Sequence, residues 1–526
     1  MRLIILVFAA ILGAAYLPAA HAKTLRVALS DDATTLDPHV GNVAVNNRLL
    51  NNIYEGLVRR DKDFNIAPSL AVSWTQPNAK TWRFKLRAGV TFHDGSPFTA
   101  DDVVFSVGRA LHPLSSFKAS LQGVATAKKI DDLTVDLLMA EPNPIMLLHL
   151  VSFQIMSKTW STKNAVLLPQ NYADKEETFA SRATCGTGPF MLASRAPDVK
   201  TVLVENKNWW NRAATDRGNV SAIEWTPIKS NGTRIAALVA GSIDFVPDSP
   251  YQDRERLKNT AGVSLLLGTE PRVLYLGMDQ SRDQLLYSNV VGKNPLKDLR
   301  VRQAIAHAID APLIISKVAR GYGRATGLVV GKGALGYAPE IDRPTAVDVP
   351  RAKRLMTEAG YAKGFELGLD CVNQSPFSEV CLGIAPMLAA IGIKLNLNMV
   401  SFTNIFSKLR KYDTSFYVMG YGTSTMDAYF PLEAILNSVG AAGSGRGDGN
   451  WGRYENPKVD ALLAQIKVEM DVSKRNTLIA DVFTIQQNDV AVIPIFQMAG
   501  AWAVRKNINA PIAPNNYWYF YRFSVN

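Results

Sequence analysis

One stretch of the sequence, residues 81–106, predicts its own local structure in unusual detail. It begins with alternating apolar and basic side chains, the period of a half-buried strand. A second short strand is predicted at 90–92, and Asp94-Gly95 supplies the tight turn that follows it. Thr99 then stands at an N-cap position, with Asp102 three residues later as in a capping box. The stretch therefore predicts strand, turn, strand and capped helix, and no residue in it looks catalytic.

The same stretch closely resembles the signature of the family 5 extracellular solute-binding proteins, the dipeptide, oligopeptide and nickel receptors of ABC importers. The matching letters are W-x-F-x-L-R-x-G-V-x-F-H-D-G-x-P and A-D-D-V-x-F-S. Other segments resemble the same family in the same order: Y-E-G-L at 54–57, G-T-G-P-F at 186–190, D-x-R-V-R-Q-A-I at 298–305 and Y-x-N-P-x-V-D at 454–460. The resemblance covers nearly all of the chain after its N-terminal segment.

The resemblance implies an α/β fold of the bilobal periplasmic-binding-protein type II, with two hinge segments and an extra inserted lobe. A length of 526 residues also predicts more than one lobe. The expected divisions are a signal peptide at 1–22, lobe I at 23–66, 186–276 and 494–526, an inserted lobe II at 67–185, and lobe III at 277–493.

The N-terminus predicts export. Arg2 precedes an apolar run at 3–12, and Ala20-His21-Ala22 fits the small-x-small rule for cleavage before Lys23. The apolar run is too short for a lasting membrane span. No cysteine follows it, so a lipid anchor is not indicated. We expect a soluble periplasmic protein with no stable membrane anchor, and the resemblance implies a monomer.

Composition and motif searches argue against several function classes. The formal net charge is +11, but the basic residues are scattered and form no stripe, so we expect no nucleic-acid partner. The six histidines are also scattered, with no His-Glu-x-x-His, and no Gly-x-Ser-x-Gly elbow occurs. We therefore expect no cofactor, no metal and no catalysis. A triad assembled from distant residues stays open as an alternative.

The three cysteines of the exported chain leave one thiol over. Cys371 and Cys381 close a short loop, which makes them the favoured disulfide pair in an oxidising compartment. Cys185 is then expected to be a small buried apolar residue.

The ligand site is expected after a strand near residue 420. In peptide-binding relatives a strand ends in Gly-Trp and is followed by G-A-D-Y-P-D-P, whose first Asp grips the ligand α-amine. Residues 420–429 read GYGTSTMDAY, which puts Ser424 at the first Asp and Asp427 at the second. Either Asp427 binds a cation or hydroxyl, or Ser424, Thr423 and backbone groups bind a neutral or anionic solute. A third interpretation is that Asp427 caps a helix predicted at 428–436.

Other residues complete the predicted site. Tyr421 offers an aromatic wall, and Gly422 follows it in the same loop. Asp32 and Thr34 lie in the loop after the first predicted strand and are expected to approach the cleft. Arg272 is the candidate clamp for an anion.

The predicted function is that of a periplasmic receptor. It would bind a peptide, peptide-like, opine or sugar-type solute between its lobes and deliver it to an inner-membrane ABC permease. Hinge closure about the solute is the motion such receptors use. The alternatives are an exported enzyme on the same scaffold and a non-transport sensory or chaperone-like protein. Recovery of an unchanged solute separates the receptor from the enzyme.

Overall fold

The computed structural model describes residues 23–172, 174, 176–423, 425–441, 445–511 and 513–526. The predicted signal peptide and Ser424 lie outside the described residues. The strands are β1 (Thr24–Leu29), β2 (Val58–Arg60), β3 (Ile66–Pro68), β4 (Ala71–Asn78), β5 (Thr81–Leu86), β6 (Val124–Asp131), β7 (Thr134–Met139), β8 (Phe190–Ala196), β9 (Lys200–Glu205), β10 (Ala222–Pro227), β11 (Phe245–Val246), β12 (Val263–Met278), β13 (Gly323–Ala325), β14 (Phe365–Val372), β15 (Ile393–Val400), β16 (Phe416–Tyr421), β17 (Ile493–Arg505), β18 (Ile508–Asn509) and β19 (Ser524–Val525).

The helices lie between these strands, mostly in lobe III. They are α1 (Ala44–Leu50), α2 (Ala100–Leu111), α3 (Met146–Leu150), α4 (Lys158–Lys163), α5 (Phe179–Arg182), α6 (Asn231–Ala240), α7 (Tyr251–Lys258), α8 (Leu299–Ala308), α9 (Ala311–Lys317), α10 (Val349–Glu358), α11 (Phe377–Ala389), α12 (Phe402–Arg410), α13 (Tyr429–Leu436), α14 (Pro457–Ile466) and α15 (Val472–Asp489). None of the helices in the described ranges is long and apolar enough to cross a membrane.

The signature segment folds largely as its sequence predicts. Its alternating part is β5, and the helix α2 follows, with the Thr99 N–H donating to Oδ2 of Asp102 at 2.8 Å. The strand predicted at 90–92 is reduced to a single bridge between Thr91 and Pro97. The chain already reverses at Asp94-Gly95, so the arms of this turn are too short for a ladder.

A large mixed sheet runs through the molecule. Its order is β15-β14-β16-β12-β17-β11-β1-β10-β9-β8, with β13 added on β17. β1 pairs in parallel with β10 and β11, and β14 pairs in parallel with β15 and β16. The antiparallel strands β12 and β17 lie between these two parallel groups. The two halves of the sheet are therefore joined through two long strands.

β12 and β17 carry the chain from one half to the other. Residues 263–269 of β12 pair only with β17, whereas residues 273–278 also pair with β16 in the other half. The pairing register shifts between these two parts. The crossing thus lies a few residues before the boundary predicted at 276/277. The numbered lobe boundaries themselves stay a prediction.

The inserted segment forms its own antiparallel sheet, in the order β4-β5-β7-β6, with α2 packed beside it. Its buried residues, such as Phe84 and Phe153, belong to the same hydrophobic core as Trp225 and Phe520 of lobe I. Lobe III encloses a separate core, which includes Ile305. Lobes I and II therefore share apolar packing that lobe III does not.

The cysteines are placed as follows. Cys371 is the penultimate residue of β14 and Cys381 lies in α11, and a disulfide joins the two. Cys185 is buried with a free thiol. This is the pairing that the sequence favours, and it fastens α11 to the strand on which the helix packs.

Candidate functional site

A cleft of about 580 Å³ lies where the two halves of the large sheet meet. The lobe I side contributes Asn42, Ala44, Asn47, Arg48 and Asn515 to Tyr517, and Glu270 to Arg272 of β12 line the cleft at the crossing. The lobe III side contributes Met419 to Thr423, Asp448, Gly449 and Trp451. Both the volume and the position between lobes are typical of ligand sites.

β16 delivers the predicted loop to this cleft. The strand is buried between β12 and β14 until its last two residues, which are half-buried. Tyr421, Gly422 and Thr423 then line the cleft. The Tyr421 ring lies 5.9 Å from the ring of Phe430, and burial raises the pKa of its phenol well above the ordinary value. The phenol is therefore a neutral hydrogen-bonding group on an aromatic wall.

Arg272 also lines the cleft, and two neighbours hold it there. Its Nε donates to Oε1 of Glu270 at 3.0 Å, and its Nη1 lies 3.5 Å from the carbonyl oxygen of Gly420. A Cβ at position 420 would lie 3.1 Å from Arg272 Cδ, so glycine gives the arginine its path across the strand. Arg272 therefore reaches the cleft with a carboxylate already beside it.

Asp427 is not among the residues that line the cleft, and a contact between its side chain and the solute stays a prediction. Its side chain is buried, and its two oxygens accept hydrogen bonds from Arg475 Nη1 and Nη2 at 2.8 Å each. Oδ1 also accepts the N–H of Tyr429 at 2.9 Å, at the first residue of α13. The Thr423 hydroxyl donates to the Asp427 carbonyl at 3.0 Å. These bonds fix the loop between β16 and α13 on its interior side.

Asp32 and Thr34 are also not among the residues that line the cleft, and their predicted approach to the solute stays a prediction. Asp32 forms an ion pair with Arg195 at 3.0 Å, and both side chains are nearly buried. The Thr34 hydroxyl accepts hydrogen bonds from Tyr172 at 2.9 Å and from Asn46 at 3.1 Å. Both residues therefore fix the loop after β1.

The sequence did not reveal the residues that line the cleft on its lobe I side. Arg48 lines the cleft, and its Nη1 donates to Oδ2 of Asp248 at 2.9 Å. Its guanidinium lies 4.4 Å above the Trp518 ring and donates from Nε to the Asn516 carbonyl. Desolvation raises the pKa of Asp248, but Arg48 and the Asn516 amide outweigh it and lower the pKa overall. These residues are far apart in sequence, and no local signal connects them.

The sequence also did not reveal three residues on the lobe III side of the cleft, Arg410, Asp448 and Trp451. Arg410 at the end of α12 and Asp448 line the cleft. Asp448 belongs to the segment 440–452, whose glycine-rich, polar composition is typical of an exposed loop. Trp451 lines the cleft from the same segment and lies 5.9 Å from the Phe406 ring. The glycine-rich composition of segment 440–452 indicates a loop, but only the fold shows that the second half of this segment lines the cleft.

One acidic group beside this wall has a shifted pKa. Burial, and then the nearby Asp448 carboxylate, raise the pKa of Glu433 to about 7. Lys467 and Arg446 oppose the rise. In the described parts of the chain, no three His, Cys, Asp or Glu side chains are grouped to hold a metal ion.

Comparisons with known proteins give the family. Residues 65–443 match the bacterial extracellular solute-binding proteins, family 5 Middle. The glutathione-binding protein GsiB of Shigella flexneri serotype 5b (strain 8401) is 26% identical over 477 residues, which cover 87% of this chain and 85% of GsiB.

Solved structures agree on the fold. DppA from Helicobacter pylori in complex with the peptide STSA superposes with a TM-score of 0.78 at 20% identity, covering 95% of this chain and 98% of DppA. AgaA from A. tumefaciens R10 in complex with agropinic acid gives a TM-score of 0.74 at 25% identity, covering 95% of this chain and 96% of AgaA. Both are periplasmic binding proteins by name, which fits the mixed α/β fold described above. This chain is therefore a member of the family 5 bacterial extracellular solute-binding proteins, the solute receptors of ABC importers.

Proposed function

We propose that this receptor captures a small carboxylate-bearing solute in the interlobe cleft, without chemical change, and delivers it to an inner-membrane ABC permease. The observation that carries the proposal is the arginine content of the cleft: Arg48, Arg272 and Arg410 approach one cavity from three different elements. Guanidinium groups suit carboxylates because they bind them through paired, charge-assisted hydrogen bonds.

The remaining lining supports a solute of this kind. Tyr421, Phe430 and Trp451 provide apolar and aromatic surface, on which the carbon skeleton of a solute can lie. A volume of about 580 Å³ is within the usual range for a small organic ligand. The relatives named above bind glutathione, a peptide and agropinic acid, and glutathione and peptides carry carboxylates.

The mechanism is non-covalent. A solute that contacts Arg48 on the lobe I side and Tyr421 on the lobe III side favours the conformation in which both walls reach it. β12 and β17 are the covalent links across the cleft, so closure is a rotation about these strands. The proposal includes a monomeric protein, exported with cleavage after Ala22, without a membrane anchor, organised in the lobes given above.

Native mass spectrometry of protein purified from a bacterial periplasm tests this function. We expect a protein–solute complex that releases, on denaturation, a small carboxylate-bearing compound identical to one in the growth medium. Release of a chemically altered compound, with turnover of added solute, would instead support the exported enzyme. Empty protein that no solute in a thermal-shift screen stabilises would contradict the receptor proposal, because a ligand at a hundred times its Kd adds roughly 2.7 kcal/mol.

A further inference from the structure

A bulge in β12 faces the cleft at the crossing between the lobes. The pairing of β12 with β17 shifts register between Thr269 and Val273, so that three residues of β12 lie opposite one residue of β17. The three residues are Glu270, Pro271 and Arg272, and all of them line the cleft. A bulge re-aims the side chains of the strand that contains it. The arginine and its carboxylate partner therefore reach the cleft because the hinge strand is bulged at this point.

Gln497 of β17 holds this bulge. Its side chain is buried, and its Nε2 donates to the Glu270 carbonyl at 2.9 Å. The same amide pairs with Lys332, because Nε2 donates to the Lys332 carbonyl at 2.9 Å and Oε1 accepts the Lys332 N–H at 2.9 Å. Gly331 permits this approach, since a Cβ there would lie 2.6 Å from Gln497 Nε2. One side-chain amide therefore joins the hinge strand to residues 331–336 of lobe III.

Segment 331–336 continues to the loop that follows β16. The Leu335 N–H donates to the Met426 carbonyl at 2.8 Å, and the Ala428 N–H donates to the Leu335 carbonyl at 2.8 Å. The first residues of this loop, 421–423, line the cleft. Hydrogen bonds thus lead from the hinge bulge, through Gln497 and segment 331–336, to the loop that forms part of the cleft wall.

The loop after β16 also contacts lobe I. Its Thr425 carbonyl accepts a hydrogen bond from Arg60 Nη2 at 3.2 Å. A rotation of lobe III about β12 and β17 carries this loop toward Arg60 or away from it. Because a buried hydrogen bond is costly to break where no water replaces it, the bulge and the loop move together while Gln497 joins them. Without the amide, the two could move independently.

We propose that Gln497 is a positioning residue for solute binding. It holds the bulge that presents Arg272 to the cleft, and it couples this bulge to the loop after β16, so that both parts of the cleft wall reach the closed arrangement together. The inference rests on the proposed function and deepens it, since it assigns control of closure to a residue that is not among those lining the cleft.

Gln497→Met tests the inference, because methionine has nearly the shape of glutamine and lacks its amide. Spin labels on Lys229→Cys in lobe I and Lys353→Cys in lobe III, both at exposed positions, report the distance between the lobes in the solute-free protein. We expect the ratio of closed to open protein to fall by about threefold to tenfold, the size expected for losing the net contribution of one hydrogen bond. Hydrogen exchange at the Leu335 and Ala428 amides should become faster by a similar factor.

A second variant separates the amide from its packing in another way. Gln497→Glu keeps an oxygen that accepts the Lys332 N–H but removes the donor to the Glu270 carbonyl. It should shift the interlobe distances in the same direction as Gln497→Met, so the inference stays open to contradiction even if one of the two variants does not fold.

Gln486→Met is the matched control. Gln486 is also a buried glutamine, and its amide donates to the Gly327 carbonyl at 3.0 Å and accepts the Val329 N–H at 3.4 Å, so these bonds stay within lobe III. Gln486→Met and Gln497→Met should lose similar resistance to urea, but only Gln497→Met should change the interlobe distances.

The inference is overturned if the Gln497 variants keep the wild-type distances and exchange rates, or if Gln486→Met changes the distances equally. Native mass spectrometry tests the proposed function separately. A protein that shows the expected distance changes but binds no solute contradicts the proposed function and leaves the coupling standing, which distinguishes the two failures.

Discussion

At the scale of single residues, the loop after β16 has one face toward the cleft and one toward the protein interior. Tyr421, Gly422 and Thr423 are on the cleft side. Asp427 is on the interior side, where it neutralises the buried guanidinium of Arg475. A buried charge without its partner is strongly unfavourable, because no water replaces the lost interaction.

The first prediction concerns that pair. Asp427→Ala leaves the Arg475 charge buried and removes the bond to the Tyr429 N–H, so the free energy of unfolding should fall by about 3–5 kcal/mol. Urea denaturation measures it. As a control, Asp253→Ala breaks the pair between Asp253 and Arg256, in which the arginine side chain is 56% exposed. The control should cost about 0–1 kcal/mol. Equal losses in both variants would contradict the assignment.

The second prediction concerns pH and Glu433. Its folded-state pKa of about 7 lies above the ordinary value of 4.5, so the folded protein holds this proton more tightly than the unfolded chain. The resulting stability is present below pH 4.5 and is lost as the pH rises through 7. Glu433→Gln should therefore be more stable than the wild type at pH 8, by roughly 1–3 kcal/mol, and nearly equal to it at pH 4.5.

Urea denaturation at the two pH values provides the measurement. Glu340→Gln replaces an exposed glutamate of lobe III and should give a pH-independent difference close to zero. If Glu433→Gln behaves like this control, the Glu433 carboxyl does not hold its proton as described.

The sequence could narrow the role of Asp427 but not decide it. A carboxylate just before a helix fits a cap or a ligand contact equally well. The deciding partner, Arg475, comes 48 residues later. The ion pair of Asp32 was beyond local reasoning for the same reason, since its partner Arg195 lies on β8. Local patterns fix backbone conformation, whereas the direction of a side chain depends on what the fold brings next to it.

At the scale of elements, β12 and β16 connect the hinge to the cleft wall. Gly277 of β12 pairs with Tyr417 of β16, and the tyrosine ring covers the glycine. The ring also lies 5.9 Å from that of Trp451, which lines the cleft. A glycine within a strand often marks such a close approach.

The third prediction follows from this contact. A Cβ at position 277 would lie 2.1 Å from Cζ of Tyr417, which is buried. Gly277→Ala should lower the free energy of unfolding by about 1–3 kcal/mol, the usual cost of overpacking, and should weaken solute binding by displacing Trp451. Thermal unfolding and calorimetric titration check the two effects.

A second glycine gives the matched control. Gly108 lies in α2, and no atom approaches within 4 Å of the position of its absent Cβ. Gly108→Ala should raise the free energy of unfolding by about 0.4–1 kcal/mol by reducing the freedom of the unfolded chain. Destabilisation of similar size in both variants would show that the Tyr417 contact is not the cause.

Elements with strong local signals were predictable. β5 and α2 follow from alternation and a capping box. The reduction of the predicted strand at 90–92 to a single bridge was not predictable, because a ladder forms only when the arms on both sides of a turn are long enough. The bounds of β12 were also beyond local reasoning, since the strand runs on through the lobe boundary expected at 276/277.

At the scale of the whole molecule, lobe II belongs with lobe I but also touches lobe III. It shares the hydrophobic core of lobe I. On its other side, Glu141 Oε1 lies 2.5 Å from Nζ of Lys467 in lobe III. A second contact joins the same two bodies, since Arg60 Nη2, in lobe I, donates to the Thr425 carbonyl of lobe III at 3.2 Å. The loop that lines the cleft is thus hydrogen-bonded directly to lobe I.

The fourth prediction is that the Glu141–Lys467 pair stabilises the closed arrangement of the lobes. Both side chains are about one-third exposed, at 40% and 34%, so the pair is worth only about 0.2–1 kcal/mol and weakens with salt. Lys467→Glu places two like charges together and should shift the conformational equilibrium toward the open form by up to about fivefold. The double variant Glu141→Lys with Lys467→Glu restores an attractive pair and should return the wild-type equilibrium.

Spin labels on lobe II and lobe III measure this equilibrium as a distribution of distances in the solute-free protein. The double variant is the decisive control, because it carries both substitutions and yet should resemble the wild type at low salt. High salt should bring all three proteins together, since the effect is electrostatic. If Lys467→Glu and the wild type give the same distribution at low salt, lobe II does not hold lobe III, and closure is governed by β12, β17 and the solute alone.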